Sequence, residues 1–587
     1  VNKALISAAL KDGQATLVIR NGRIVNVHTR EILPGGVAIL GEHIFAVGDV
    51  DYTVGPETKV IDAERQFIVP GFIEGHIHPE SSNLSVPRFA EIVLAHGTTS
   101  IFTDFHEIAI VGGIQGVNAV LDEAAKTFAR FHWVVPSHVP FSPGLETSGG
   151  KFDATVILPA LHRAEAVGLS EVVSDYVLDE HTDLMASVAG NNTLRKSLVG
   201  HGPVTKGRRW SAFASIGIAN DHEAIDVEDV LLRARAGIHA HLRHNLICPT
   251  LPTLIQAITE NKIDTRLLSL VTDDTNAIVL TREGHIDYLV REAMKLGVDF
   301  ITAIQMATLN PATSFHMERH IGAVAPGRFA DVLILSDDTA RFSVRKTIAK
   351  GALVAEDGRY LNPAKIEAHA PVFHNTFHLK APVSGADLQV AAPPGKTTAR
   401  VHVMKTLPWI PITEGAEAIL KVVAGRIACD PSQDVIHIAV VERHHKTGNI
   451  GRAFLGGFGL KSGALASSMA HDNHNIAVAG VSPDDCAMAV NRVAELDGGI
   501  VFCDQGKIVA EIAFPQFGLL CDLDAHELAA RKQALLDAMG ERGCGLSEAH
   551  MFLGFLTLVP IPRFKITDKG YVDGETLRLI DPVLSWS

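Results

Sequence analysis

Over residues 16 to 70, apolar and polar positions alternate in short runs separated by glycine. Thr16-Leu17-Val18-Ile19-Arg20 and Arg23-Ile24-Val25-Asn26-Val27 flank Asn21-Gly22, a pair suited to positive φ, and the spacing predicts a hairpin turning at that dipeptide. A period of two returns at Ala330–Leu335 and again from Thr347-Ile348-Ala349-Lys350-Gly351 toward Leu353-Val354. Two strand-rich flanks around a long middle predict one small β domain, assembled from residues 1–67 and 321–380.

Between them, residues 68–320 alternate short apolar runs with stretches of helical period. Strands are expected at Thr99–Phe102, Trp133–Val135, Glu171–Val173, Ser197–Val199 and Leu268–Val271. Helices are expected at Gly116–Phe131, Ala154–Val167, Val227–Ala236 and Ile286–Leu296. Repeated β-then-α units imply a parallel sheet, whose closed form is the (β/α)₈ barrel. Past residue 365, Pro371, Pro382, Pro393 and Pro394 interrupt the pattern before a second α/β section with a strand at Val435–Val441. We read residues 381–587 as a separate C-terminal α/β domain.

Composition narrows the class. A formal net charge of −14 argues against a nucleic-acid or anionic-membrane surface, which needs clustered Lys and Arg. The six cysteines contain no C-x-x-C pair, and a chain of 587 residues needs no disulfides to hold its core, so reduced thiols in a cytoplasm are expected. Val1-Asn2-Lys3-Ala4-Leu5 does not read as a signal peptide, and the apolar Phe552–Pro562 run is too short for a membrane span. Histidine is abundant, at 29 residues against 5 Tyr and 4 Trp, which turns attention to metal chemistry.

Val69-Pro70-Gly71-Phe72-Ile73-Glu74-Gly75-His76-Ile77-His78 carries the sharpest motif. Residues two apart on a strand share a face, so His76 and His78 project together, and neutral imidazoles at that spacing suit Zn, Fe, Mn or Ni. Four more polar residues sit beside predicted strands. Glu171 heads an apolar run; His201 follows Ser197-Leu198-Val199-Gly200; His222 follows Ile218-Ala219-Asn220-Asp221; Asp273 follows Leu270-Val271-Thr272. Each has a plain structural explanation when taken alone, such as a helix cap at Asp273-Asp274. Together they form the polar rim that (β/α)₈ barrels build from their strand ends. Four imidazoles and two carboxylates suffice for two divalent ions sharing one bridging carboxylate.

The motifs together resemble the adenine deaminases of the amidohydrolase superfamily, over nearly the whole chain. They are Gly75-His76-Ile77-His78-Pro79-Glu80-Ser81-Ser82, Asp104-Phe105-His106-Glu107, Pro136-Ser137-His138-Val139-Pro140, Asp221-His222-Glu223 and Thr272-Asp273-Asp274. Gly456-Gly457-Phe458-Gly459-Leu460-Lys461 and His471-Asp472-Asn473-His474-Asn475 resemble that family's additional domain. The resemblance implies a binuclear Mn²⁺ or Fe²⁺ centre, with Zn²⁺ as a third option. It places His76 and His78 on one ion, His201 and His222 on the other, Glu171 as bridge, and Asp273 as ligand and base. Glu223 and His106 are the candidates for protonating the substrate ring. Glu80, Ser81, Ser82, Glu107, Arg243 and Asp274 are the expected substrate contacts. A homo-oligomer is the family's expectation, and the implied activity is deamination of adenine or a related aminopurine.

The chain also departs from the family. Phe105 replaces the usual Pro, Ile110 an Asn, and Arg243-His244-Asn245-Leu246 stands where relatives carry Arg-Glu-Gly-Ser. Asn220 precedes Asp221 where Ser is common, and Ser170, Val172 and Val173 differ from a Gly-Leu-Gly-Glu-Met-Met run. Ligand positions are kept while pocket loops change, which leaves open a cyclic amide, lactam or lactone hydrolase on the same centre. A non-catalytic binding protein is the third reading, opposed by the complete ligand set. The His471–Asn475 stretch admits two readings, a contribution to the pocket or to a partner subunit's site, and a hydrogen-bonded turn, of which the turn is preferred. The Gly456–Gly459 run lacks a G-K-[ST] ending, so it is not a phosphate loop.

Overall fold

The structure, a computed structural model, describes residues 3–587 apart from 11–12, 340, 364–367, 408–409 and 562. Readings that fall on Val1, Asn2 and Pro562 lie outside these residues. The middle of the chain forms an eight-stranded, all-parallel sheet in sequence order. We number its strands β1 (Phe72–Glu74), β2 (Thr98–Thr103), β3 (Arg130–Pro136), β4 (Ala166–Val173), β5 (Ser197–His201), β6 (Asn220–Asp221), β7 (His239–Arg243) and β8 (Leu268–Val271). A parallel bridge from Ile77 to Asp273 brings the two ends together, with Asp273 N donating to His76 O at 3.0 Å and His78 N to Asp273 O at 2.8 Å. Every residue of β2, β5 and β8 is buried, as expected of parallel strands covered on both faces. The fold is a nearly closed (β/α)₈ barrel.

Two predicted helices are too long. Residues 116–131 split into the end of helix His106–Ala125 and the start of β3, while 154–167 split into helix Ala154–Leu161 and the start of β4. Apolar residues recur on both sides of the polar junctions at Lys126-Thr127 and His162-Arg163, so period alone does not separate a helix from the strand that follows. Helix His106–Ala125 also has the length and apolarity of a membrane span, a run the sequence reading passed over. Its Ile108, Ile110, Val117 and Val120 are buried in the barrel's core packing.

The flanking strands pair into one nine-stranded sheet, in which Phe67–Pro70 joins Leu17–Asn26 on one side and Val332–Leu335 on the other. Asn21-Gly22 is not a hairpin turn. It is a bulge inside the single strand Leu17–Asn26, where the register shifts between Ile19 and Gly22, and Asn21 takes φ 57°. A Cβ on Gly22 would lie 2.3 Å from Ile68 Cδ1, so glycine is required by close packing as well. The C-terminal section holds a ten-stranded sheet with Val435–Val441 near its centre. Its Ile436, Ile438, Phe502 and helix residues Leu528 and Leu535 share one core with Phe89, Val93 and Leu280 of the barrel helices. That shared core seats the C-terminal section on the barrel.

Candidate metal centre

The carboxyl ends of the barrel strands converge on Glu171. Its Oε1 lies 3.6 Å from His76 Nε2, 3.6 Å from His78 Nε2, 3.6 Å from His201 Nδ1 and 3.5 Å from His222 Nε2. Asp273 Oδ1 stands 3.4 Å from His76 Nε2 and 3.7 Å from His78 Nε2. Such separations are long for hydrogen bonds. They match two donors each about 2.1 Å from a shared ion, which sit roughly 3.0–3.6 Å apart. His76 Nε2, His222 Nδ1 and both nitrogens of His201 are buried with no hydrogen-bond partner among the described residues. Buried polar atoms are rarely left this way without a reason. The donor set therefore fits divalent cations, with His76, His78 and Asp273 as one group and His76, Glu171 and His222 as another.

Backbone geometry aims the two carboxylates. Glu171 (φ 50°) and Asp273 (φ 65°) both occupy the left-handed region, which costs energy outside glycine and is concentrated at functional sites. At Glu171 the pairing of β4 with β5 shifts register, since Leu198 faces Leu169 but Gly200 faces Val172. Glu171 thus lies inside β4 near its end, rather than at the head of a new run.

Electrostatics follow from that crowding. Burial alone would lower His76, but the neighbouring Asp273 and Glu171 carboxylates outweigh it and raise its pKa to about 10. Burial is likewise overcome at His201, where Glu223 and Glu171 raise it to about 9. Burial would raise Glu171, yet His78 and its other imidazole neighbours hold it well below the usual carboxylate range. The site is a field that stabilises positive charge, whether carried by protons or by cations.

A supporting layer fixes these ligands. Glu74, fully buried, accepts His76 N at 3.0 Å, Thr272 N at 3.1 Å and Thr272 Oγ1 at 2.7 Å, stitching β1 to β8. Asp221 accepts Gly202 N at 2.9 Å, Glu223 N at 2.9 Å and Arg233 Nε at 2.5 Å, while Arg233 Nη2 donates to Gly202 O at 3.1 Å. The end of β5, which carries His201, and the loop after β6, which carries His222, are tied together by this buried pair. The sequence reading missed Glu74 and Arg233; the available signal was a charged residue on an otherwise apolar strand or helix face.

The remaining candidates divide. Glu107, Glu223, Arg243 and Asp274 line the pocket beside the metal ligands. Arg243 Nη1 donates to Glu223 Oε1 and to Asp273 Oδ2, both at 2.9 Å. Burial notwithstanding, Arg243 and His201 hold Glu223 far below the range in which a carboxyl donates a proton at neutral pH. Asp274 Oδ1 has no partner among the described residues, and burial followed by the neighbouring Asp273 raises its pKa to about 6. His106 stands outside the pocket wall, packed edge-on against Phe141 with ring centroids 4.9 Å apart. Ser81 and Ser82 also stand outside it, their hydroxyls donating to His78 O at 2.5 Å and Pro79 O at 2.6 Å. Glu80 is buried behind them and accepts Ile108 N at 3.4 Å. A second, largely apolar chamber of about 280 Å³ adjoins the metal pocket through Asn245 and Asp274, and includes His244, Leu246 and Tyr288.

Residues 67–198 and 214–354 match the amidohydrolase family, and residues 411–578 match the adenine deaminase C-terminal domain. An adenine deaminase of Moorella thermoacetica is 36% identical over 99% of this chain and 98% of its own length. The chain belongs to the adenine deaminase family. Other adenine deaminases, from Mesorhizobium japonicum (38% identical) and Ruegeria pomeroyi (37% identical), each align over 98% of this chain and 96% of their own length. In adenine deaminases the amidohydrolase barrel implies divalent metal, and the histidine and carboxylate groups found here provide for it.

Proposed function

We propose that this protein deaminates adenine, or a closely related aminopurine, by hydrolysis at a binuclear centre of Mn²⁺ or Fe²⁺. The observation that supports it most is the convergence of four imidazole nitrogens within 3.6 Å of one Glu171 oxygen, in a chain alignable end to end with adenine deaminases. On this reading His76 and His78 would hold one ion and His201 and His222 the other, with the Glu171 carboxylate available to both. Divalent ions held there would supply a water made nucleophilic near neutral pH.

The chain's own groups then have definite tasks. Asp273 accepts the water's proton and passes it toward the departing amine. Arg243, paired with both Asp273 Oδ2 and Glu223 Oε1, fixes the orientation of these two carboxylates. Asp274, kept partly protonated by burial, is better matched to proton delivery than Glu223. The C–N bond to the amino group breaks, a C–O bond forms, and ammonia leaves. Hydrolysis of a cyclic amide, lactam or lactone is not favoured by relatives that align over the full length as adenine deaminases.

Ammonia release from adenine by Mn²⁺- or Fe²⁺-loaded protein under reducing conditions tests the reading. Metal-dependent release that disappears in His76→Ala is the expected result. Stoichiometric metal without ammonia from any aminopurine would overturn it.

A further inference from the structure

The metal pocket is not walled by the barrel alone. His471, Asp472, Phe555, Leu558 and Ile561, all from the C-terminal section, complete it. Residues 463–480 are buried without a break, so the polar groups of the His471–Asn475 stretch must find partners inside the protein. Asn475 Nδ2 donates to Thr147 O at 3.0 Å, and Asn475 Oδ1 accepts Arg443 N at 3.1 Å. The stretch is thus the hydrogen-bonded turn that its composition suggests, and it is also part of the pocket.

Its two histidines grip one barrel residue. His471 Nδ1 lies 3.0 Å from Glu107 Oε1, and His474 Nε2 bonds to Glu107 Oε2. His474 Nδ1 accepts Ala470 N at 3.3 Å, so Nε2 carries the proton and donates to the carboxylate. Glu107 lies in the first turn of helix His106–Ala125. The His471 ring is further held by stacking on Phe555, with centroids 4.8 Å apart and planes 15° apart, and its carbonyl accepts Thr557 Oγ1 at 2.5 Å. With Nδ1 committed to Glu107, Nε2 is the nitrogen that remains for a ligand. It belongs to a wall completed by Asp472, Phe555, Leu558 and Ile561. Two polar side chains, His471 and Asp472, beside three apolar ones suit a flat nitrogen heteroaromatic ring, whose face is apolar and whose rim carries nitrogen atoms.

We propose that His471 is the residue through which the C-terminal domain binds the substrate ring, its Nε2 facing one ring nitrogen, and that Glu107 is its positioning residue. This rests on the aminopurine reading for the class of ring, but concerns binding rather than chemistry.

Calorimetric binding to Mn²⁺-loaded protein tests it with purine, which has no amino group to lose, and analogues in which one ring nitrogen at a time is replaced by CH. In His471→Phe, purine binding is expected to weaken about 10- to 100-fold, the effect of one buried hydrogen bond lost. One analogue, lacking the nitrogen that faces His471, is expected to bind wild type and variant alike. Glu107→Gln is expected to shift the same analogue pattern by a smaller factor with metal content unchanged, and it carries the comparison if His471→Phe does not fold. Equal losses for every analogue, or none, would overturn the proposal, as would wild-type protein that binds no purine ring. Tight purine binding with no ammonia released from adenine or another aminopurine would sink the proposed activity and leave this inference standing.

Discussion

Two clusters of histidine and carboxylate meet at the mouth of this barrel, built from the same residue types for different ends. Around Glu171, four imidazole nitrogens stand 3.5–3.6 Å from one oxygen, and several buried nitrogens have no partner among the described residues. Around Glu107, His471 and His474 close directly onto the carboxylate, and His474 Nδ1 is also engaged. The first spacing leaves room for cations; the second has engaged every imidazole nitrogen but His471 Nε2 in hydrogen bonds. Residue type therefore does not distinguish a metal site from a clamp, whereas separation and unmet hydrogen-bonding capacity do.

The largest test of the contrast removes the shared oxygen of the first cluster. Glu171→Gln keeps the shape but loses the charge facing four imidazoles. Activity is expected to fall by at least about 10³-fold, with bound metal falling in parallel by elemental analysis. Full metal occupancy in the variant would show that Glu171 is not the bridge.

A smaller effect is expected one layer out. Arg233 and Asp221 form a buried pair that ties the loop of His201 to that of His222. Arg233→Met leaves Asp221 buried and unpaired, and metal affinity is expected to drop about 10- to 100-fold. Occupancy of the second ion, read by metal titration, should suffer more than the first. An unchanged titration would mean that backbone geometry alone positions these histidines.

How much of this was legible in the sequence depends on which force sets each feature. The barrel strands and the strand-end order of His76, His78, Glu171, His201, His222 and Asp273 could be read because burial on both faces and proximity to strand ends are local properties. The Asn21-Gly22 bulge was misread as a turn because the same positive φ serves both, and only the packing of Ile68 against Gly22 decides between them. Helix limits at residues 125 and 161 were not legible because apolar residues recur on both sides of the short polar junctions that follow them. Contacts distant in sequence were not legible: Glu107 meets His474 across 367 positions, and Arg233 meets Asp221 only because a helix folds back over its strand.

The Glu107 cluster itself can be tested by counting. If it is a clamp, metal titration of the apo protein gives two ions per chain, and His474→Gln leaves that number unchanged. The variant should lose about 1–3 kcal/mol of stability, because a buried carboxylate oxygen loses a partner. A third ion that disappears with His474→Gln would convert the clamp into a metal site and erase the contrast.

The smallest effect concerns the reverse arrangement, one imidazole shared by two carboxylates, at the other end of the same helix. His369 Nδ1 lies 2.6 Å from Glu123 Oε1 and its Nε2 lies 2.7 Å from Asp522 Oδ2, joining the barrel helix to the segment before helix Ala525–Gly540. Hydrogen bonds to Asp522 and Glu123 raise its pKa from 6.5 to about 9. A group whose folded pKa is raised contributes stability that is fully present below its unfolded value and is lost as pH rises through the folded one. The stability of wild type over His369→Ala is therefore expected to be about 1 kcal/mol near pH 6, to shrink between pH 6.5 and 9, and to vanish above it. Thermal unfolding of both proteins across that range checks this. A difference that stays constant with pH would mean that His369 acts by packing, and that the charged imidazole is not what fastens the C-terminal domain here.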